Sequence, residues 1–408
     1  MASVDNTFYN SIFLVVARFF SDFGAFLNMV ALSSYTYMLG QNAVLVGIVL
    51  TGRVLGGITA SLGSTNIFRK YPGAMPLALT DMLRAGALSL IIIIPQHNHL
   101  LILPLVAFVL GFGNTIFSVG LNSQIPYLVK DNSIIKINSL LTSFSSLGTV
   151  LGSLSAGVIL IYSSYSGLFG INMVVYIVAA FLILPLRFNF NRYVGKNIPK
   201  FIQEWRLLIQ GLKGFPILLL VLIVALTDTL GSAAHSVGLP IFSKIINDQE
   251  PEKIMGYILA IWAIGKFMGA QFTNTLNRYL GTDLQKQIRL MEYIFFASIA
   301  LMSLGFIAVF QFNHLLPILI AAFFAGIGDG FAEVAVITRV QKTDETIRLP
   351  AFSLLRMMQS VGFAIGMLIS SFFFEFMFPA YVVLIFHGVP LVMTLVSLYK
   401  TYLYYKKN

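Results

Sequence analysis

Long apolar stretches alternate with short polar breaks along the whole chain. Runs such as 87–95, 100–111 and 215–226 are almost wholly apolar. A helix needs ~20 mostly apolar residues to cross ~30 Å of hydrocarbon. The pattern predicts twelve such helices, near 10–38, 41–62, 73–94, 100–124, 138–162, 166–186, 215–243, 253–277, 288–311, 315–338, 350–376 and 379–400. The first run carries Arg18 and Asp22 and lacks a short apolar core before a small-residue cleavage site. It is therefore expected to stay in the chain as the first membrane helix.

The longest polar break, 187–214, divides the chain almost in half, and a repeat crosses it. Ser139-Leu140-Leu141, followed by Ser146, Gly148 and Gly152, recurs as Ser353-Leu354-Leu355, Ser360, Gly362 and Gly366. Gly52-Arg53-x-x-Gly56 recurs as Gly265-Lys266-x-x-Gly269. Gly111-x-Gly113-Asn114 recurs as Gly326-x-Gly328-Asp329, and Ser21-Asp22 as Thr227-Asp228. Small residues four apart commonly let membrane helices approach, so one match alone says little. Four matches in order at nearly constant offset predict two parallel six-helix repeats. The expected organisation is an all-α membrane protein of two pseudo-symmetric six-helix bundles, 1–186 and 215–408, joined by a cytoplasmic linker at 187–214.

Composition sharpens this picture. The 408 residues are 57% apolar and 10% charged, where soluble domains carry roughly 25% charged residues. There is no cysteine, which excludes disulfides, thiolate metal sites and cysteine nucleophiles. The net charge of +10 would suggest nucleic acid in a soluble protein, but its distribution points to topology instead. With the N-terminus inside, nineteen of the 26 lysines and arginines fall at inner segments, and only Lys244 and Lys253 fall outside. The positive-inside rule then puts both termini in the cytoplasm. Five cations remain within the spans: Arg18, Arg53, Arg84, Lys266 and Arg356.

Several short motifs carry a family likeness. They are Asp81-Met82-Leu83-Arg84-Ala85, Gly111-x-Gly113, Pro126-Tyr127-Leu128-Val129, Asn138-Ser139-Leu140, Gln341 and Arg348. On these residues the chain resembles the major facilitator superfamily, most of all its branch of enterobactin-type siderophore exporters and macrolide efflux pumps. The segment after span 2 reads Asn66-Ile67-Phe68-Arg69-Lys70. It keeps the family's basic pair and lacks its acid and glycine. Span 5 has Gly148 and Gly152 without the proline common in antiporters. The resemblance implies the major facilitator fold in a bacterial inner membrane, with spans 1 and 7 lining a cavity. It also implies proton-coupled export of a small molecule by a monomer whose only other partners are lipid and protons, without a cofactor.

An ionisable residue at the bilayer centre costs roughly 2.5–3.5 kcal/mol on insertion scales, so such residues pair or serve a cavity. Arg18 with Asp22, and Asp81 with Arg84, sit one helical turn apart and are expected to bridge. Asp81, Arg84, Arg69 and Lys70 are the candidate gating or structural charges. Asp22 and Asp228 hold equivalent places in the two halves and are candidate proton carriers, with Asp329 and Glu333 a second candidate pair. Arg53 and Lys266 are matched cations that either neutralise Asp22 and Asp228 or hold an anionic substrate. Arg18, Arg356, Asn114 and His235 complete the candidate substrate contacts. Glu292 and Glu375, nearer span ends, are expected to reach water. His97-Asn98-His99 reads as a solvated outer loop, not a metal site. Gly326-x-Gly328-x-Gly330 lacks the preceding strand of a nucleotide loop.

These features favour a secondary transporter of a small, anionic, siderophore-like molecule. Broad drug efflux is the alternative within the same class, but five embedded cations favour anionic cargo. A passive channel has no use for buried acids, and neither a catalytic constellation nor a nucleotide loop supports an enzyme.

Overall fold

A computed structural model describes residues 2–40, 43–129, 133–186, 188, 206, 208–210, 212, 214–249, 251–278 and 283–407. Most of the expected linker, 187–214, lies outside these residues. Twelve of the described helices are long and apolar enough to cross a membrane. They are α1 (Ala2–Gly40), α2 (Ala43–Lys70), α3 (Ala74–Ile93), α4 (His99–Gln124), α5 (Ile134–Tyr162) and α6 (Tyr165–Ile183), then α7 (Pro216–Ile246), α8 (Pro251–Arg278), α9 (Leu284–Gln311), α10 (Leu315–Gln341), α11 (Glu345–Phe374) and α12 (Pro379–Lys407). No strand occurs among the described residues. A helix satisfies its own backbone hydrogen bonds, which hydrocarbon cannot do for it.

The helices overrun the apolar stretches at several ends. α2 continues through Asn66–Lys70, so the segment expected to be a loop forms the last turns of a helix. α12 runs seven residues past its expected end and carries the aromatic run 402–405 in helical form. Nothing in these ends breaks a helix, and backbone hydrogen bonding continues past the hydrocarbon edge. Asp283, outside the span, caps α9 by accepting from the amides of Gln285 and Lys286 at 3.0 and 3.2 Å. The Lys286 amide, ahead of the other contacts, holds that carboxyl below its ordinary range.

The chain forms two compact units. The first comprises Met1–Ile137, Phe144–Arg206 and Arg348–Met357, and the second Asn138–Ser143, Leu207–Ile347 and Met358–Asn408. In the first, α2 packs along α4, α6 contacts both α1 and α3, and α3 touches α4. In the second, α8 packs along α10, α12 contacts both α7 and α9, and α9 touches α10. Each pairing recurs six helices later. The cores are apolar: Leu27, Leu88, Leu103 and Phe169 in the first unit, Phe242, Ile258, Ile318 and Val383 in the second. Other large apolar side chains stay exposed, including Leu101, Ile161 and Leu368 at 74–79%. Such a surface suits lipid and not water.

Glycines bring the paired helices close. Gly111 of α4 lies against the Arg53 carbonyl of α2, and Gly330 of α10 against the Lys266 carbonyl of α8. A Cβ at either place would enter the neighbouring backbone. The two embedded cations therefore sit on helices held at backbone contact.

Candidate functional site

In the first unit a polar chain threads four apolar helices. Arg53 of α2 donates through Nη1 to Asn28 Oδ1 at 2.5 Å and through Nη2 to the Ala25 carbonyl at 3.2 Å. Asn28 Nδ2 in turn donates to the Tyr176 hydroxyl at 2.6 Å and to the Gly24 carbonyl at 2.7 Å. The Arg84 guanidinium lies 4.5 Å from the Tyr176 ring centroid and 5.1 Å from that of Phe117. Arg84 also bonds Asp81, one turn away on α3, and donates to Ser21 Oγ at 2.9 Å. Both Asp81 and Arg84 are completely buried. Gly113 makes the space, because a Cβ there would stand 2.7 Å from Arg84 Cγ.

Asp22 belongs to Arg18, whose Nε meets its Oδ2 at 2.5 Å along the same helix. The expected contact of Asp22 with Arg53 is absent. A partner one turn away on α1 is nearer than one on α2, so Arg53 rests on an amide and a carbonyl. It makes no ion pair among the described residues. Its charge is solvated by neutral dipoles.

The second unit treats its matched cation differently. Lys266 Nζ lies 3.0 Å from Asp329 Oδ2 and 2.9 Å from Glu333 Oε2, with these side chains only 16–22% exposed. Its ammonium also stands 5.3 Å from the Trp262 ring. The expected rest of Lys266 on Asp228 is replaced by this double bridge, since backbone contact between α8 and α10 presents the two acids first. Asp228 stays within electrostatic reach of both Asp329 and Lys266. Its Oδ1 is buried without a hydrogen-bond partner. Two carboxylates thus bridge one ammonium, with a third within electrostatic reach.

The remaining candidates scatter. Arg356 donates to Ser118 Oγ at 2.5 Å. Asn114 is half-buried on α4. Arg69 is half-buried at the end of α2, while Lys70 is exposed and stands 5.2 Å from the Tyr71 ring. His235 of α7 meets His387 of α12. Glu292, expected to reach water, is instead fully buried. Arg339 Nε donates to its Oε1 at 2.6 Å and the Tyr405 hydroxyl to its Oε2 at 2.7 Å. The overrun of α12 supplies that tyrosine, which is why the expectation failed. Glu375 is exposed. The H-x-H segment splits: His97 is exposed, but His99 is buried between the Tyr35 hydroxyl at 2.6 Å and the Ile94 carbonyl at 2.7 Å.

Asn28, Tyr176, Trp262, Arg339 and His387 have no counterpart among the sequence candidates. Asn28 could have been found as an amide deep in an apolar helix, six residues past Asp22. Tyr176 and Trp262 look like ordinary membrane aromatics in sequence.

Comparison with known proteins agrees with the fold. The model of the Major Facilitator Superfamily matches residues 14–343. A solved structure titled as a Major Facilitator Superfamily transporter, FucP, in the outward conformation is similar at TM-score 0.74 and 12% identity, covering 95% of this chain and 98% of that one. A variant of the E. coli fucose:proton symporter FucP gives TM-score 0.72 and 12% identity, covering 96% and 99%. No curated protein sequence matches the chain significantly.

Proposed function

The chain belongs to the Major Facilitator Superfamily, and on that premise we propose that it is a secondary active transporter moving a small anionic, siderophore-like molecule out of the cytoplasm by proton-coupled alternating access. In this reading it works as a monomer in a bacterial inner membrane with both termini cytoplasmic. Its two six-helix bundles, 1–186 and 215–408, are joined by the linker 187–214.

The observation that carries the proposal is the unequal compensation of the matched cations. Arg53 is held by neutral groups alone, so it keeps a full charge to offer an anion. A guanidinium also presents a planar fork that fits a carboxylate. Lys266 already has two carboxylates, so the cluster around it has negative charge in excess. Protons are the natural cations to relieve it. Asp228, Asp329 and Glu333 take the proton load in this scheme, and Lys266 moves between partners as they load. Asp22 stays with Arg18 as a structural pair. Export is inferred from the resemblance to siderophore exporters.

A second reading has its own support. Three carboxylates around one lysine suit a cationic cargo, as in a broad drug efflux pump. Counterflow in proteoliposomes separates the two. Citrate and carboxylate siderophores, a neutral polyol and a lipophilic cation are each tested with and without a pH gradient. The anionic reading expects carboxylates to exchange, with uphill movement only when protons flow the other way. Exchange of the lipophilic cation alone selects the second reading.

A further inference from the structure

Two histidines of the second unit form a device that the scheme above leaves unused. His235 Nδ1 and His387 Nε2 are 3.1 Å apart, joining α7 to α12. The His235 ring lies flat on Phe306 of α9, with centroids 3.6 Å apart and planes 8° apart. His387 is completely buried, and its Nδ1 has no partner. Beside that nitrogen is Gly231, where even a built Cβ would come within 3.2 Å.

Only one of the two bonded nitrogens can carry the hydrogen in a neutral pair, so the bond has two possible directions. If His387 accepted, its own proton would sit on Nδ1, leaving a buried N–H with nothing to receive it. Orphaned buried donors are rarer than idle acceptors. The favoured direction is donation from His387 Nε2 to His235 Nδ1. A neutral imidazole that accepts at Nδ1 must carry its hydrogen at Nε2. His235 is half-buried, and its Nε2 makes no hydrogen bond within the protein. Among the described residues neither ring bonds a carboxylate or a cation. On their own helices the nearest ionisable groups are Tyr381, six residues before His387, and Asp228, seven before His235, and from α9 Phe306 stacks on both rings. An imidazolium here would lack an anion, so the arrangement serves recognition and not charge transfer.

We propose that His387 is a positioning residue that fixes His235 as the Nε2–H tautomer, making His235 a hydrogen-bond donor for an oxygen-bearing cargo such as a carboxylate. The assignment of the tautomer stands by itself; its use for cargo rests on the anionic reading above. Phe306 holds the ring plane, and His387 sets which edge donates.

Two measurements on the full-length protein keep these parts separable. Nitrogen NMR of ring-labelled histidine, assigned by single substitutions, reads the tautomer directly. His235 is expected with a protonated Nε2 and a bare Nδ1 in the native protein. That state should persist in His387→Gln, whose amide nitrogen can donate, and become a tautomer mixture in His387→Leu. A native His235 protonated at Nδ1 overturns the proposal, whatever the variants do. The second measurement is citrate counterflow in proteoliposomes. His387→Leu should raise the half-saturating concentration roughly tenfold, the scale of one hydrogen bond, with the maximal rate kept. His387→Gln should restore it. Equal loss in both variants makes the pair structural packing and overturns the cargo role. If the native protein exchanges no citrate, the anionic reading fails for this probe while the spectrum still decides the tautomer.

Discussion

Arg53 and Lys266 occupy the same place in two copies of one motif, yet their surroundings are opposites. Arg53 has an amide and a carbonyl, while Lys266 has two carboxylates and a third within reach. Each cation's carbonyl is pressed on a glycine of the paired helix, Gly111 for Arg53 and Gly330, one turn beyond the sequence counterpart Gly326, for Lys266. Close helix packing is common to both places, while the charge environment differs. A cation solvated by neutral dipoles attracts anions. One that is over-compensated is a reservoir for protons or a base for cationic ligands. The position of a charge in a repeat does not disclose its job; its partners do.

The largest expected effect tests the second unit as the proton site. Asp228→Asn should abolish gradient-driven accumulation of cargo while exchange at zero gradient continues. Little stability should be lost, because the buried Oδ1 has no hydrogen bond to lose. Normal uphill transport by this variant moves coupling to Asp329 and Glu333.

Next comes the stability contrast. Lys266→Gln leaves two acids facing each other without a cation, and removing one partner of a buried pair costs about 3–5 kcal/mol. Partial exposure of the site places the expectation near the lower end. Adding Asp329→Asn should recover much of the loss in a double-mutant cycle. Thermal unfolding in detergent reads both. Arg53→Gln strands no acid and should cost no more than about 1.5 kcal/mol. Equal losses at the two positions would dissolve the comparison.

Binding follows. Arg53→Gln should weaken carboxylate exchange by roughly 10–100-fold, the worth of a hydrogen bond to a charged group. Neutral ligands should be nearly unaffected. The smallest effect comes from making the first site resemble the second. Asn28→Asp gives Arg53 an acid to rest on but gives up the amide donation to the Gly24 carbonyl, so carboxylate exchange should fall roughly tenfold at a stability cost of about 1 kcal/mol. Unchanged exchange in Asn28→Asp would remove the argument from uncompensated charge.

Much of the architecture was readable in the chain because the signals are long and local. Apolar runs gave the helices, while the close approach of α2 to α4 and of α8 to α10 emerged only in the structure. Same-helix ion pairs were also legible, since Arg18 and Asp22 sit one turn apart. Pairings between helices were not. That Lys266 would take Asp329 and Glu333 depends on the rotation of α10 about its axis, which spacing alone leaves open. Glu292 looked solvated because its partners, Arg339 and Tyr405, are 47 and 113 residues away. The unit membership of 138–143 and 348–357 was equally hidden. Asn138 bonds Thr338 and Gln341, and Ser353 bonds Ser64 and Thr65. Those are contacts of small polar side chains with no periodicity to announce them.

The hollow at Gly113 constrains how this sequence can drift. Arg84 fills the volume that a side chain at Gly113 would take, so the two positions are not independent. A methyl at Gly113 is tolerable only after Arg84 has become smaller. A smaller residue at Arg84 in turn strands Asp81 unless that acid changes too. Losing Asp81 first would equally strand the buried Arg84, so viable paths change that pair together and reach Gly113 last. Libraries that randomise these three positions together should recover that order as epistasis, with Gly113 variants surviving only on backgrounds that have already lost the arginine.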